Sequence, residues 1–599
     1  MAEGFTPLQA RLLAGRLSTI RRPIASLVHT RSSEMDTPHD LPDIELAARL
    51  IADAVAEQRH IAVVTDHDAD GATSHAIIRL SLLAWNVARE RVSGFISHRM
   101  QEGYGISQAF VERMLPQLQP GTCIITADQG STDEDRIACL RKAGHFVVVT
   151  DHHGVPDHGP PRSAHAVVNP VRSDSRFPDR AIAGCHTALL VMAAVRSELI
   201  ARELLPKTAK RVSEFLDLCA VGTIADASSL GTSHNNRAIV LRGLHLINRR
   251  PRPCWQAMRR VLNKRGPWTV SDVAFQLATR INARGRLGDA MLSVEFLTAE
   301  SEDAAFEMAL ELDDNNSKRR QIERANTLTA IVAAQMAVAE GRYGLCLWLG
   351  EDGHQGVHGI SASRVVERFG RPTICLSPVA HSTEVVTGSV RTTDRVHVRN
   401  ALVTIQAEHP GLLVSAGGHA GAGGLRVRRC DLPRLAEAWD EYVRKCYSDC
   451  VPSPQILIDG DLEHPSLEDA EQIRALEPFG RGFEPPIFFG EWLVQSAKAI
   501  GDGTHIKLTL ARGAGSFDAL WFGAKEAHAP LPVITGERLR AAYSIEVNDY
   551  RGATRLQLLV KAVERSDGWN SKKCPRGAAH PQNAVRFRNG SREEADCRV

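Results

Sequence analysis

The 599-residue sequence predicts a multidomain α/β protein: a parallel-sheet domain, a helical connector, a second α/β domain and a β-barrel of the oligonucleotide-binding type. Three patterns predict it. Apolar runs alternate with helical segments over residues 46–245, helical periodicity fills 246–340, and short β segments recur between Gly-rich turns over 451–565. A chain of this length exceeds one hydrophobic core, so several domains are expected.

Taken in order, residues 1–45 are Arg-rich, and Leu8, Leu12 and Leu13 mark one short helix of a docking arm or peripheral element. In the first domain, strands Ile61–Thr65, Cys123–Thr126 and Phe146–Thr150 alternate with helices Ser74–Trp85 and Asp133–Ala143, and the apolar stretch Leu218–Ile224 reads as a further strand. Ala290–Glu340 reads as a long Ala-, Glu- and Leu-rich helical run. Residues 341–450 form the second α/β unit, with the glycine-rich Gly417–Gly424, where backbone can approach a ligand or make a tight packing turn. Barrel strands are expected at Gln455–Ile458, His505–Leu510, Phe517–Phe522 and Leu556–Val563. The polar tail, 566–599, is expected to be disordered.

With 72 Lys plus Arg against 70 Asp plus Glu, net charge gives no nucleic-acid signature, so any polyanion site must be local. The 12 cysteines lack zinc-finger spacing and read as reduced thiols. No uninterrupted apolar run of about 18 residues appears, and the start lacks a basic-then-apolar leader pattern. A cytoplasmic protein without membrane contact is expected.

Four acidic clusters follow strand-like segments: Asp66-His67-Asp68-Ala69-Asp70, Asp128, Asp151-His152-His153 and Asp226. Alternate carboxylates repel one another unless cations lie between them, and hard divalent ions prefer oxygen ligands with some nitrogen. Clusters brought to the carboxyl edge of one parallel sheet therefore point to a two-metal phosphoesterase. Taken singly, each has a plainer explanation: a calcium-type loop, or an Asp capping a helix. The small residues Gly71-Ala72-Thr73-Ser74 would start a helix whose amides can hold phosphate oxygens. His152 would ligate metal, with Asp151 orienting its ring, and His153 would face the substrate phosphate or leaving group.

In this order, Asp68-Ala69-Asp70-Gly71, Arg99 with Glu102-Gly103-Tyr104, Thr150-Asp151-His152-His153, Gly222–Asp226, Asn236-Arg237 and Arg280-Ile281-Asn282-Ala283 with Gly285-Arg286 form one series. Gly359–Arg364, Gly388-Ser389-Val390-Arg391, Gly417-Gly418-His419-Ala420 and Leu476-Glu477-Pro478-Phe479-Gly480 continue it. The chain resembles the RecJ family of single-strand-specific 5′ to 3′ DNA exonucleases, within the DHH phosphoesterase superfamily. The resemblance runs from about Leu46 to Val563. It implies a DHH domain at 46–245, a DHH-associated domain at 341–450 and an oligonucleotide-binding barrel at 451–565.

It further implies two Mn²⁺ or Mg²⁺ ions held by Asp68, Asp70, Asp128, His152 and Asp226, with Asp66 and His153 supporting the site and Asp66 adding a ligand oxygen. The implied reaction is hydrolysis of single-stranded DNA to mononucleotides in repair and recombination. Arg99 and Tyr104 would contact the entering strand, and Arg280, Ser389, Arg391, Gly418 and His419 would engage phosphates near the 5′ end. A monomer is implied, with a single-strand-binding protein or a helicase as candidate partners. The sequence departs from the family pattern at Gln129, Cys185, His186, Arg284 and Phe483, positions that bear on cleft shape rather than on the metal ligands. Two other readings are a phosphodiesterase of short oligonucleotides or cyclic dinucleotides, and a non-catalytic single-strand-binding scaffold.

Overall fold

The computed structural model describes residues 4–17, 24–379, 382–448, 450–550, 553–565 and 584–587. Its first sheet contains β1 (Ile61–Thr65), β2 (Val92–Ile96), β3 (Cys123–Ala127), β4 (Phe146–Thr150) and β5 (Ala166–Val168), all parallel in the order β2-β1-β3-β4-β5. β1 and β3 are buried along their full length, as continuous apolar runs in a parallel sheet covered on both faces should be. After β1 the chain goes to one side for β2, then crosses back to β3 on the other. The carboxyl ends of β1 and β3 therefore flank a topological switch point, where ligands of open α/β sheets bind.

Several element assignments change. The helix expected from Ser74 begins at Ala69 and runs to Ala84, because the Asp68 carboxylate caps it by accepting from the amides of Asp70 and Gly71 at 2.9 and 3.1 Å. The Ala69 amide goes to Asn282 Oδ1 at 2.7 Å. These first-turn amides are thus spoken for and do not form the expected phosphate cradle. The stretch expected as a strand before Asp226 is a helix, Leu216–Ala225, packed against the Ala69–Ala84 and Gly184–Ala201 helices. A short helix buried all round carries no amphipathic period, so its sequence reads equally well as a buried strand. The helix Gly184–Ala201 is long and apolar enough to cross a membrane, but here it is a core helix packed against Ile44–Ala56 and Ala69–Ala84.

The connector is helical, but the long run expected from Ala290 divides into Met291–Leu297 and a 38-residue helix, Glu302–Ala339. The second sheet mixes β6 (Leu345–Trp348), β7 (Thr373–Val379), β8 (Ser382–Arg391), β9 (Leu413–Gly418) and β10 (Ala422–Arg428), in the order β6-β7-β8-β10-β9. Gly418, at φ 149°, could not carry a side chain, since a Cβ there would lie 2.4 Å from the Ala422 carbonyl oxygen.

The strand β11 (Gln455–Ile458) lies outside the barrel. The barrel closes from β12 (Phe488–Ile500), β13 (His505–Arg512), β14 (Gly515–Trp521), β15 (Arg538–Tyr550) and β16 (Ala553–Arg565), in the order β12-β13-β14-β16-β15. β11 instead pairs in parallel with β17 (Ala584–Phe587). That strand falls within the tail expected to be disordered; the rest of the tail lies outside the described residues. The N-terminal helix, Pro7–Leu17, is no peripheral arm. Leu12, Leu13 and Leu17 join the barrel's apolar core, and Arg16 pairs with Asp459 at 2.5 and 2.7 Å.

Arg237 joins three parts of the chain. Fully buried, it donates to the carbonyl oxygens of Leu27, Leu476 and Pro478 at 2.9–3.0 Å and lies over the Phe483 ring at 4.7 Å. Phe483, one of the departures from the family pattern, also stacks on Phe479 at 5.5 Å. It thus has a packing role where the barrel meets the first domain.

Candidate metal centre

Three adjacent strand ends of the first sheet deliver acidic or imidazole groups into one crevice. Asp66 follows β1, Asp128 follows β3, and Asp151-His152-His153 follow β4; Asp226 arrives from the carboxyl end of its helix rather than from a strand. Three overlapping groups result, the ligand atoms within each lying within 4.8 Å of one another: Asp66, Asp68 and Asp128; Asp128, His152 and His153; Asp70, His152 and Asp226. Asp128 and His152 link the groups.

The backbone presents Asp128 from the left-handed region, at φ 60°. Gly184 closes in behind it: a Cβ there would sit 2.7 Å from Asp128 Oδ1. Asp70 is buried in the first turn of its helix, where the amides of Gly184 and Cys185 donate to it at 2.7 and 2.9 Å. Cys185 directs its thiol to the Cys219 carbonyl at 3.3 Å, while His186 is buried with neither ring nitrogen hydrogen-bonded.

The electrostatics suit cations. Burial, then the neighbouring Asp226, pushes the Asp70 carboxyl up to about 6. Burial together with Asp70 and Asp68 holds Asp128 well above the ordinary carboxylate range. Crowded carboxylates of this kind ionise together only when positive charge lies between them.

The two histidines are prepared differently. His152 Nδ1 lies 3.1 Å from the Ile182 carbonyl, which makes it the donating nitrogen, and Nε2 points into the carboxylates, 3.1 Å from Asp128 Oδ1 and 3.8 Å from Asp70 Oδ2. Burial works against charge on this ring, but Asp226 and Asp70 outweigh it and raise the imidazole. Asp151 does not orient that ring. Its carboxylate accepts from the amides of His152, His153 and Ser131 and bonds His153 Nδ1 at 2.8 Å. Burial works against a charged His153, but Asp151 outweighs it and raises the imidazole to about 10. His153 is thus a cation half-exposed at the mouth, and Asp151 its positioning residue.

Asp128 Oδ1 and His152 Nε2 are buried with no hydrogen-bond partner. Two orphaned polar atoms at the junction of these three groups, two of them carboxylate–imidazole and one all carboxylate, fit divalent ions.

Opposite the acidic wall stands a basic one. Arg99 covers the Tyr104 ring at 4.8 Å, and that ring is 65% exposed, so it is not the core residue its type allows. The second domain contributes Ser389 and Arg391, which close over Gly359: a Cβ there would meet Arg391 Nη2 at 2.9 Å and Ser389 Oγ at 3.4 Å. Burial, and then the charge of Arg391, lower the His419 imidazole, with His153 adding to the effect. The Gly418-His419 loop therefore lies within electrostatic reach of both Arg391 and His153.

Arg280 does not join this wall. Its Nε donates to Asp313 Oδ1 at 2.8 Å and its Nη1 to the Gln276 carbonyl at 2.8 Å. Arg284, one of the departures, turns back to the Asp289 carbonyl at 3.0 Å. Arg286, six residues further on, is the arginine of this helix that borders Arg99 and Tyr104. It donates to the Gly356 carbonyl at 3.1 Å, and burial together with Arg99 lowers its guanidinium to about 10. His358, buried near Arg99 and Arg391, is lowered to about 3 by burial first and those cations second. Clustered, desolvated cations facing a cleft favour an anion between them.

Family models match along the chain: the DHH family N-terminal domain over residues 60–223, the DHHA1 domain over 334–445 and the RecJ OB domain over 458–562. The single-stranded-DNA-specific exonuclease RecJ of Haemophilus influenzae is 35% identical over 549 residues, covering 89% of this chain and 92% of that protein. This chain belongs to the RecJ family. The RecJ of Escherichia coli is 31% identical over 536 residues, covering 87% of this chain and 90% of that protein. The crystal structure of Thermus thermophilus RecJ in complex with Mn²⁺ superposes with a TM-score of 0.72 at 25% identity, covering 94% of this chain and 78% of that one. The Mg²⁺ complex of the same protein gives 0.67. A DHH domain, a DHHA1 domain and a closed barrel at the RecJ OB domain are thus all present here, and the RecJ structures with Mn²⁺ and Mg²⁺ agree with the donor set found in this crevice.

Proposed function

We propose that this RecJ-family chain is a metal-dependent exonuclease that hydrolyses single-stranded DNA from the 5′ end to mononucleotides. The observation that carries this reading is the pairing of orphaned ligand atoms, Asp128 Oδ1 and His152 Nε2, with a buried cationic wall across the same cleft. Asp66, Asp68, Asp70, Asp128, His152 and Asp226 would hold two divalent ions. Such ions supply charge stabilisation in phosphoryl transfer and activate water at neutral pH.

The protein's own groups account for the rest. Arg99, Arg286, Ser389 and Arg391 bind a terminal phosphate, which sets polarity by closing one end of the cleft. Tyr104 stacks on a base beside them. His153, held cationic by Asp151, keeps its Nε2 proton for the leaving oxygen. The closed barrel carries the trailing strand, which favours a long polymer over a cyclic or two-nucleotide substrate. The enzyme works as a monomer in the cytoplasm, on strands exposed by a helicase or held by a single-strand-binding protein; the free thiols of its ten described cysteines suit that compartment.

The test is digestion of end-labelled single strands with Mn²⁺. A 5′ label should appear at once as mononucleotide, and a blocked 5′ end or a duplex should resist. Attack only from the 3′ end would sink the polarity, and no cleavage would sink the activity.

A further inference from the structure

Among the described residues, three Phe, Tyr or Trp side chains stand more than half exposed: Tyr104 at 65%, Phe275 at 73% and Phe522 at 57%. Tyr104 belongs to the cleft and Phe522 to the barrel. Phe275 lies on the connector, in a π-helical turn, Val273–Leu277, within one continuous helix from Val270 to Leu287. π-turns inside helices commonly mark functional positions.

The phase of this helix places the ring. Residues separated by four, seven and eleven share one face, so Thr279, Asn282 and Arg286 lie on the stripe that begins at Phe275. The hydroxyl of Thr279 donates to the Phe275 carbonyl at 2.8 Å. Asn282 accepts from the Ala69 amide at the metal centre, and Arg286 borders Arg99, Tyr104 and Asp68. The other side of the helix, with Val273, Leu277 and Ile281, is packed into the core. Phe275 is therefore on the cleft-facing stripe, about 16 Å along the helix from Arg286. Val270, one turn further, packs against the apolar core that the barrel shares with its neighbours. The ring thus stands between the metal centre and the barrel.

We infer that Phe275 is a nucleobase-stacking site for the single strand between the metal centre and the barrel, an inference that rests on the exonuclease reading above. An exposed ring buries its apolar face when a base covers it, and stacking accepts any base, as a sequence-tolerant nuclease requires. A partner protein docking on the same ring is the competing occupant, and the experiment separates the two.

The wild type, Phe275→Ala and Phe275→Trp are compared on a long single strand and on a dinucleotide, which is too short to reach from the metal centre to the ring. Phe275→Ala should raise KM for the long strand about five- to hundredfold, the range of one stacked base, with kcat little changed. The dinucleotide should be turned over as by wild type, and Phe275→Trp should restore the long-strand KM. An abasic site walked along the strand should weaken wild-type binding at one position and leave Phe275→Ala indifferent there. An unchanged KM in Phe275→Ala, as a protein-docking role would give, overturns the inference. So does equal loss on both substrates. Wild-type protein that neither binds nor cuts the long strand overturns the exonuclease reading itself, and this inference with it.

Discussion

The two walls of the cleft are opposite in charge and also in construction. The acidic wall is made at the carboxyl ends of adjacent strands, where a parallel sheet places its loops side by side, so Asp66, Asp128 and His152 meet because their strands do. The basic wall has no such common origin. Arg99 follows β2, Arg286 ends a connector helix and Arg391 ends β8 in the other domain. One wall depends on the first domain's sheet, and the other on how two domains close on each other. The acidic wall should therefore govern chemistry and the basic wall affinity.

The sharpest break of that comparison is Asp128→Ala. It removes the atom shared by two ligand groups without touching the core, and it should lower hydrolysis by about 10³-fold or more while leaving single-strand affinity in place, measured by gel shift without divalent metal. Lost affinity would mean the walls are not separable. Asp151→Asn comes next. Its carboxylate bonds the His153 side chain and none of the six side chains proposed to hold the ions, and it holds His153 charged, so kcat should fall about 10- to 100-fold with Mn²⁺ affinity far less affected. A matching loss of Mn²⁺ affinity would move Asp151 into the ligand shell.

The acidic wall also predicts a pH dependence. Asp70 titrates at about 6 in the fold, above its ordinary value, so the metal-free protein is most stable below about 4 with respect to this group and loses that contribution as pH rises through 6. Metal binding needs the carboxylate and displaces its proton, so Mn²⁺ affinity should increase between pH 5 and 7, with proton release at the lower end. Calorimetry in two buffers of different ionisation enthalpy reads the proton directly. Affinity independent of pH over that range would show that Asp70 is ionised before the ion arrives.

How much of each wall was legible in the sequence follows from the same contrast. Asp66, Asp68, Asp128 and His152 stand next to apolar runs whose length and β-branching mark strands, so their meeting follows from topology. Asp226 was legible as a candidate ligand but not as the end of a helix, since Leu216–Ala225 is buried on nearly every side and has no polar face to set a period. Two barrel strands, Phe488–Ile500 and Arg538–Tyr550, went unread because their polar residues interrupt the apolar alternation. The basic wall was harder. Arg280 and Arg286 lie six residues apart on one helix, and only helical phase relative to Asn282 shows which one faces the cleft.

The basic wall supplies the smaller effects. Arg286→Gln should raise KM for a 5′-phosphorylated strand about tenfold, and the slope of log affinity against log salt should lose about one phosphate contact, about 0.7 for a single strand. Arg280→Gln is the control that decides whether that helix was read in the correct phase. Arg280 spends its guanidinium on Asp313 and Gln276, so the substitution should leave KM and the salt slope as in wild type. Its cost should appear as stability, about 1 kcal/mol after allowing for the solvent that reaches Asp313, seen as a lowered denaturation midpoint. If Arg280→Gln instead flattens the salt slope and Arg286→Gln does not, the two arginines exchange roles. The stripe joining Phe275 to Asn282 and Arg286 would then face away from the strand, and none of the three residues would line its path.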